Sequence, residues 1–158
     1  MITLQFLRGT DFGAKAIEWF GHGADYSHVD TVMPDGRLYG ARSDKVGGAP
    51  PGVQYRKSNY YYAKKELSMR ITLDTTPEQD KAYYDFLLKQ FNKPYDKMGI
   101  LSFILGRNWD DLDSWFCSEL VTAGLVNCGY FTYPLAVTSN KVAPADLILM
   151  LSVRQKIA

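Results

Sequence analysis

A chain of 158 residues with 46% hydrophobic side chains is long enough to fold as one domain around a substantial apolar core. Its 18 lysines and arginines nearly balance 17 aspartates and glutamates, and no dense basic block occurs, which argues against nucleic acid as the principal partner. The longest apolar run, Leu147 to Leu151, is far too short to span a bilayer, so no transmembrane segment is expected.

In chain order, Ile2 to Leu7 reads as a short apolar strand. No charged stretch followed by a long apolar segment opens the chain, so the expected location is cytoplasmic, or one reached without a classical signal peptide. Asp11 to Phe20 has helical spacing, with Ala14, Ile17 and Phe20 on one side, and Gly21 to Asp25 breaks it. His28 to Met33 and Arg37 to Arg42 flank Pro34-Asp35-Gly36, the clearest hairpin signal in the chain. A loop rich in glycine and proline, Ser43 to Gly52, follows. Leu67 to Leu73 alternates apolar and polar residues as a half-buried antiparallel strand does.

Thr76-Pro77-Glu78-Gln79 supplies an N-cap, a proline at the first helical position and a capping-box glutamine. The helix it opens is predicted to run to about Phe91, with Tyr83, Phe86, Leu87 and Phe91 facing inward. A further helix is predicted over Met98 to Leu105, another from near Cys117 to Gly129, and a closing strand over Ala145 to Val153. With no repeat, low-complexity tract or linker, residues 1–158 read as one α+β domain, a small antiparallel sheet packed against helices.

The chemistry centres on Cys117, in Trp115-Phe116-Cys117-Ser118-Glu119-Leu120-Val121. A thiol at a helix N-terminus meets unpaired N–H groups and partial positive charge, so a lowered pKa and donors for an oxyanion are expected. The bland alternative is a buried cysteine acting as a small hydrophobe. Cys128, eleven residues on, would lie about 16 Å along the same helix, too far for a disulfide, which favours a reducing compartment. A thiol nucleophile needs a base, and only His22 and His28 are available. His22 lies between two glycines in a loop, whereas His28 opens a strand whose neighbours can hold its ring, so His28 is the candidate.

Other constellations carry less. Asn108, Asp110, Asp111 and Asp113 lack the glycine and final glutamate of a calcium loop and read as a helix cap. Asn59 to Lys65, with three consecutive tyrosines, reads as an exposed edge strand with snorkelling lysines. No phosphate loop, dinucleotide glycine pattern, paired metal histidines or zinc-type cysteines occur, so no cofactor or metal is expected.

Tyr26-Ser27-His28-Val29 on an early strand, together with the Cys117 segment on a late helix, resembles the circularly permuted branch of the NlpC-like, papain-like cysteine peptidase superfamily. Lys93-Pro94-Tyr95-Asp96 is similar to the Pro-Tyr element that precedes the nucleophile there, and Val142-Ala143-Pro144-Ala145-Asp146-Leu147 to its closing segment. The resemblance implies a permuted papain-like fold with His28 delivered onto the sulfur from the first hairpin. It implies acyl transfer through a thioester, with Cys117 as nucleophile, His28 as base and then acid, and the Tyr95 hydroxyl offered to the oxyanion. In that superfamily a polar residue on the next strand orients the histidine, but the matching position here is Gly40. Hairpin pairing brings Arg42, Ser43 or Asp44 near His28 instead; Asp44 would stabilise an imidazolium and Ser43 would fix a tautomer.

The expected activity is therefore that of a cysteine amidase or peptidase, with peptidoglycan-type peptides the first substrate class and a phage-related or cell-wall setting the context the resemblance suggests. Two rivals stand beside it: an acyltransferase or thioesterase on acyl lipids, as in the lecithin:retinol acyltransferase-like members of the same group, and a binding module without catalysis on the same fold. Oligomeric state is not readable from the sequence.

Overall fold

The computed structural model of the chain describes residues 1–8, 25–60, 68–96, 113–132 and 134–152. The helices expected over Asp11–Phe20 and Met98–Leu105, the loop histidine His22, and Asn108, Asp110 and Asp111 lie outside the described residues.

Five strands form one antiparallel sheet: β1 (Ile2–Leu7), β2 (His28–Val32), β3 (Leu38–Arg42), β4 (Gly52–Arg56) and β5 (Ser68–Leu73), in the spatial order β4-β3-β2-β1-β5. Three helices are described, α1 (Pro77–Leu88), α2 (Cys117–Asn127) and α3 (Pro144–Ser152), so the domain is α+β as its patterning implies. No helix among the described residues is long and apolar enough to cross a membrane.

Strand alternation sorts the side chains. Ile2, Leu4, Phe6, Val29, Tyr39, Ala41, Val53, Ile71 and Leu73 enter the main core with Tyr83 and Leu87 of α1 and Cys117, Leu120, Val121 and Leu125 of α2. Leu7 and Leu38 join a smaller cluster with Tyr60. The β2–β3 turn closes through Gly36 N–H to Met33 O and Met33 N–H to Arg37 O, both 2.8 Å, and Gly36 sits at φ +81°, where only glycine is unstrained.

Two expectations need correction at element ends. Helix α1 starts on the expected capping box, Gln79 N–H donating to Thr76 Oγ1 and Thr76 N–H to Gln79 Oε1. It stops at Leu88, however, and Phe91 is 45% exposed rather than facing inward. The chain turns there, with Asn92 at φ +67°, so that Asn92 N–H reaches Val53 O at 3.0 Å and Val53 N–H reaches Lys93 O at 2.9 Å. Those bonds pair the outer side of β4, a strand the glycine and proline content around it concealed. The second correction is the tail, which is helix α3 and not a strand. Its apolar run is ambiguous by periodicity, but Leu147 and Leu151 are buried one helical turn apart and Asp146 caps the start by accepting Ala143 N–H at 2.9 Å.

Helices α1 and α2 meet at Gly124. A Cβ there would lie 2.7 Å from Tyr83 Cε2, and Tyr83 is pinned by the 2.7 Å hydrogen bond its hydroxyl shares with Thr31 Oγ1. Gly124→Ala is therefore expected to destabilise the protein by about 1–3 kcal/mol of overpacking, against roughly 1 kcal/mol of helix propensity gained. A urea midpoint equal to or above that of the wild type would contradict this tight crossing.

Candidate active site

Cys117 is the first residue of α2. The residues before it are held by the Pro-Tyr element: Trp115 N–H donates to Pro94 O at 3.1 Å, Asp96 N–H donates to Trp115 O at 3.0 Å, and Tyr95 lies edge-on to Phe116 with ring centroids 6.2 Å apart. Phe116, at the N-cap, has no side-chain acceptor, so Glu119 reaches back to accept its N–H at 3.1 Å. Ser118 Oγ donates to Val142 O at 2.6 Å and anchors the first turn to the segment leading into α3. Tyr95 thus stands beside the residues that open the cysteine helix.

The thiol is buried, with Cys117 only 1% exposed, and Cys128 is likewise a free thiol in the interior. Burial pushes the Cys117 thiol up to about 12; main-chain groups of Val29 and Ser118 and the charge of Arg42 favour the thiolate but are outweighed, and Asp30 adds to the rise. The lowered pKa expected from the helix N-terminus is overturned, because withdrawing a thiolate from water costs more than the local donors return.

His28 is also buried, and its Nε2 lies 2.9 Å from Oδ1 of Asp30, two residues along the same strand and so on the same face. The two atoms are within hydrogen-bond distance of each other but off the ideal alignment. Burial lowers the His28 pKa, Asp30 partly opposes this, and Arg42 lowers it further, leaving the imidazole neutral near neutral pH. Burial pushes Asp30 the other way, upward, but His28, Arg56 and Arg42 outweigh it and hold the carboxyl below the usual range, hence ionised.

A charged network surrounds that carboxylate. Tyr60 donates to Asp30 Oδ2 at 2.5 Å, and Arg42 Nη1 donates to the Tyr60 hydroxyl at 3.1 Å. Arg42 Nε bonds Asp44 Oδ1 at 2.8 Å, and Arg56 Nη1 bonds Gly40 O at 2.8 Å. Tyr60, read from sequence as part of an exposed edge, is buried because its hydroxyl completes this network.

The residues proposed to orient His28 are placed elsewhere. Asp44 is engaged by Arg42, Ser43 is exposed, and the carboxylate beside the imidazole is Asp30. Sequence reasoning missed Asp30, although His-x-Asp on a strand puts both side chains on one face. Cys117 packs with Val29 in the core, whereas His28, one residue earlier on the strand, has the opposite parity, shared with Asp30, and thiol and imidazole are not hydrogen-bonded to each other. Among the described residues, no three His, Cys, Asp or Glu side chains are grouped so as to hold a metal ion.

No family model and no curated protein matches the chain. Among solved structures it is similar to metalloprotein yiiX from Escherichia coli O157:H7, with a TM-score of 0.56 and 24% identity over 82% of this chain. The chain spans 66% of the length of that protein, and the likeness shows a shared fold.

Proposed function

We propose that this chain is a cysteine hydrolase of the circularly permuted NlpC-like, papain-like kind, cleaving an amide bond through a thioester. The observation that carries the reading is a thiol on the first residue of a helix, packed against the strand whose histidine is already paired with a buried, ionised carboxylate. Because the thiol and the imidazole are both neutral at rest, the chemistry resembles general-base activation rather than a preformed ion pair. The Cys117 sulfur attacks the carbonyl carbon as its proton passes to His28, and Asp30 stabilises the resulting imidazolium. The Cys117 N–H, unpaired within the helix, serves the oxyanion, a contribution of about 3 kcal/mol for one such donor. The imidazolium then protonates the leaving amine, and water hydrolyses the thioester with His28 again as base.

Peptidoglycan-type peptides are the first substrate class to test, from the resemblance of the motifs, and acyl thioesters the second. A non-catalytic binding module is favoured by one observation, the raised pKa of Cys117 together with its lack of a bond to His28.

Intact mass spectrometry of the protein treated with 4-nitrophenyl acetate tests the reading. The expected result is one acetyl adduct on Cys117, released by hydroxylamine and absent in Cys117→Ala. Acylation of Cys128 alone, or of neither cysteine, would leave the binding module as the better account.

A further inference from the structure

Gly40 has no positive φ, so its backbone does not call for glycine. Its surroundings do. A Cβ at position 40 would lie 2.1 Å from Asp30 Oδ1, 3.2 Å from Asp30 Cγ and 3.4 Å from Val29 O. The Gly40 carbonyl is held by the fully buried guanidinium of Arg56, so this stretch of β3 is anchored against yielding. The ladder between β2 and β3 pairs Thr31 with Tyr39, and continuing it sets Asp30 opposite Gly40 and His28 opposite Arg42. The side-chain volume of position 40 is therefore filled from the facing strand.

We infer that the group positioning His28 has been transposed: Asp30, on the histidine's own strand, occupies the space a polar side chain at position 40 would fill, and Gly40 is its steric complement. This rests on the reading of His28 as the base. One oxygen of Asp30 faces His28 Nε2 and the other is fixed by Tyr60, which Arg42 holds in turn, so the carboxylate has little freedom to turn away. With Nε2 directed at Asp30, Nδ1 is the nitrogen left for the thiol proton. The competing explanation is structural: Asp30 is the buried counter-charge for Arg42 and Arg56.

Five variants at positions 30 and 40 separate the two, with ring NMR of His28, iodoacetamide alkylation of Cys117 and the unfolding midpoint as readouts. In Asp30→Asn the His28 titration is expected to move further below its wild-type position, because the one group that raises it is lost while Arg42 and Arg56 remain. Alkylation near neutral pH should fall about 100-fold, at the low end of what a positioned base contributes. Asp30→Gly should lose as much, and adding Gly40→Asp to it should recover at least about tenfold by returning a carboxylate from the opposite strand. Gly40→Ala should lower the unfolding midpoint in the wild type and spare it in the Asp30→Gly background. An unchanged His28 titration in Asp30→Asn, with only the midpoint lowered, would overturn positioning in favour of the counter-charge. A tolerated Gly40→Ala would overturn the exchange of space. The hydrolase reading fails separately, if Cys117 forms no acyl adduct while the His28 ring still responds to Asp30→Asn.

Discussion

Replacing His28 by alanine is expected to slow acylation of Cys117 by about 10²- to 10⁴-fold near neutral pH, the range a positioned general base supplies. The size follows from the resting protonation states. Burial pushes the Cys117 thiol up to about 12, so almost no thiolate exists near neutrality and the attack depends on a base that takes the proton during the step. The same states set the pH profiles. The His28 pKa lies below its ordinary 6.5, so the wild-type rate should rise with pH through a point below that value and level off above it, where the imidazole is fully basic. The variant has only hydroxide to ionise the thiol, so its rate should climb about tenfold per pH unit across the neutral and mildly alkaline range without levelling, and the deficit should narrow. The variant should still fold, since Asp30 keeps Tyr60 and the two arginine charges. Near-wild-type acylation at neutral pH would remove His28 as the base, and collapse of the unfolding midpoint would make it a structural residue.

Arg56→Met is expected to cost about 3 kcal/mol of stability, the scale of removing one side of a buried charge arrangement together with its hydrogen bonds. Arg56 is 1% exposed and donates to the carbonyls of Gly40 (2.8 Å), Gly52 (3.1 Å) and Gln54 (3.3 Å). Methionine keeps most of the volume but none of the donors, so those carbonyls lose their side-chain bonds and keep only what the ladder supplies. Asp30 also loses one of the charges that keep it ionised, and its pKa should rise toward the ordinary carboxylate value. Urea denaturation measures the first effect, and carboxyl NMR of Asp30 the second. A midpoint unchanged within error would mean that these carbonyls find water instead.

The parts of the fold legible in the sequence are those written in local patterns. Pro34-Asp35-Gly36 announces a turn because Gly36 adopts a positive φ within four residues of chain, and the Thr76 capping box is closed by Gln79, three residues away. Gly129, at φ +69°, marks the end of α2 in the same way. Where the deciding partner is distant, reading fails. The end of α1 is set by pairing with Val53 on β4, and the helical state of α3 by burial of Leu147 and Leu151, which an unbroken apolar run does not distinguish from a strand.

The site divides along the same line. Cys117 as the first residue of a helix and His28 on a strand were readable from residue type and short-range spacing, whereas Tyr95 was placed only by the resemblance of its Pro-Tyr element. The thiol's protonation was not: a helix N-terminus is a local feature that lowers a pKa, whereas burial depends on what packs above the residue, and here it prevails. The partner of His28 was not readable either. Asp30 stands two residues away, yet its role depends on Gly40, Tyr60, Arg42 and Arg56 converging from other parts of the chain. By itself, then, the sequence determined which side chains are reactive and which elements carry them, since those depend on neighbours within a turn or two. Only the tertiary structure decided their charge states and partners, because desolvation and cross-strand space exist only once distant segments are packed together.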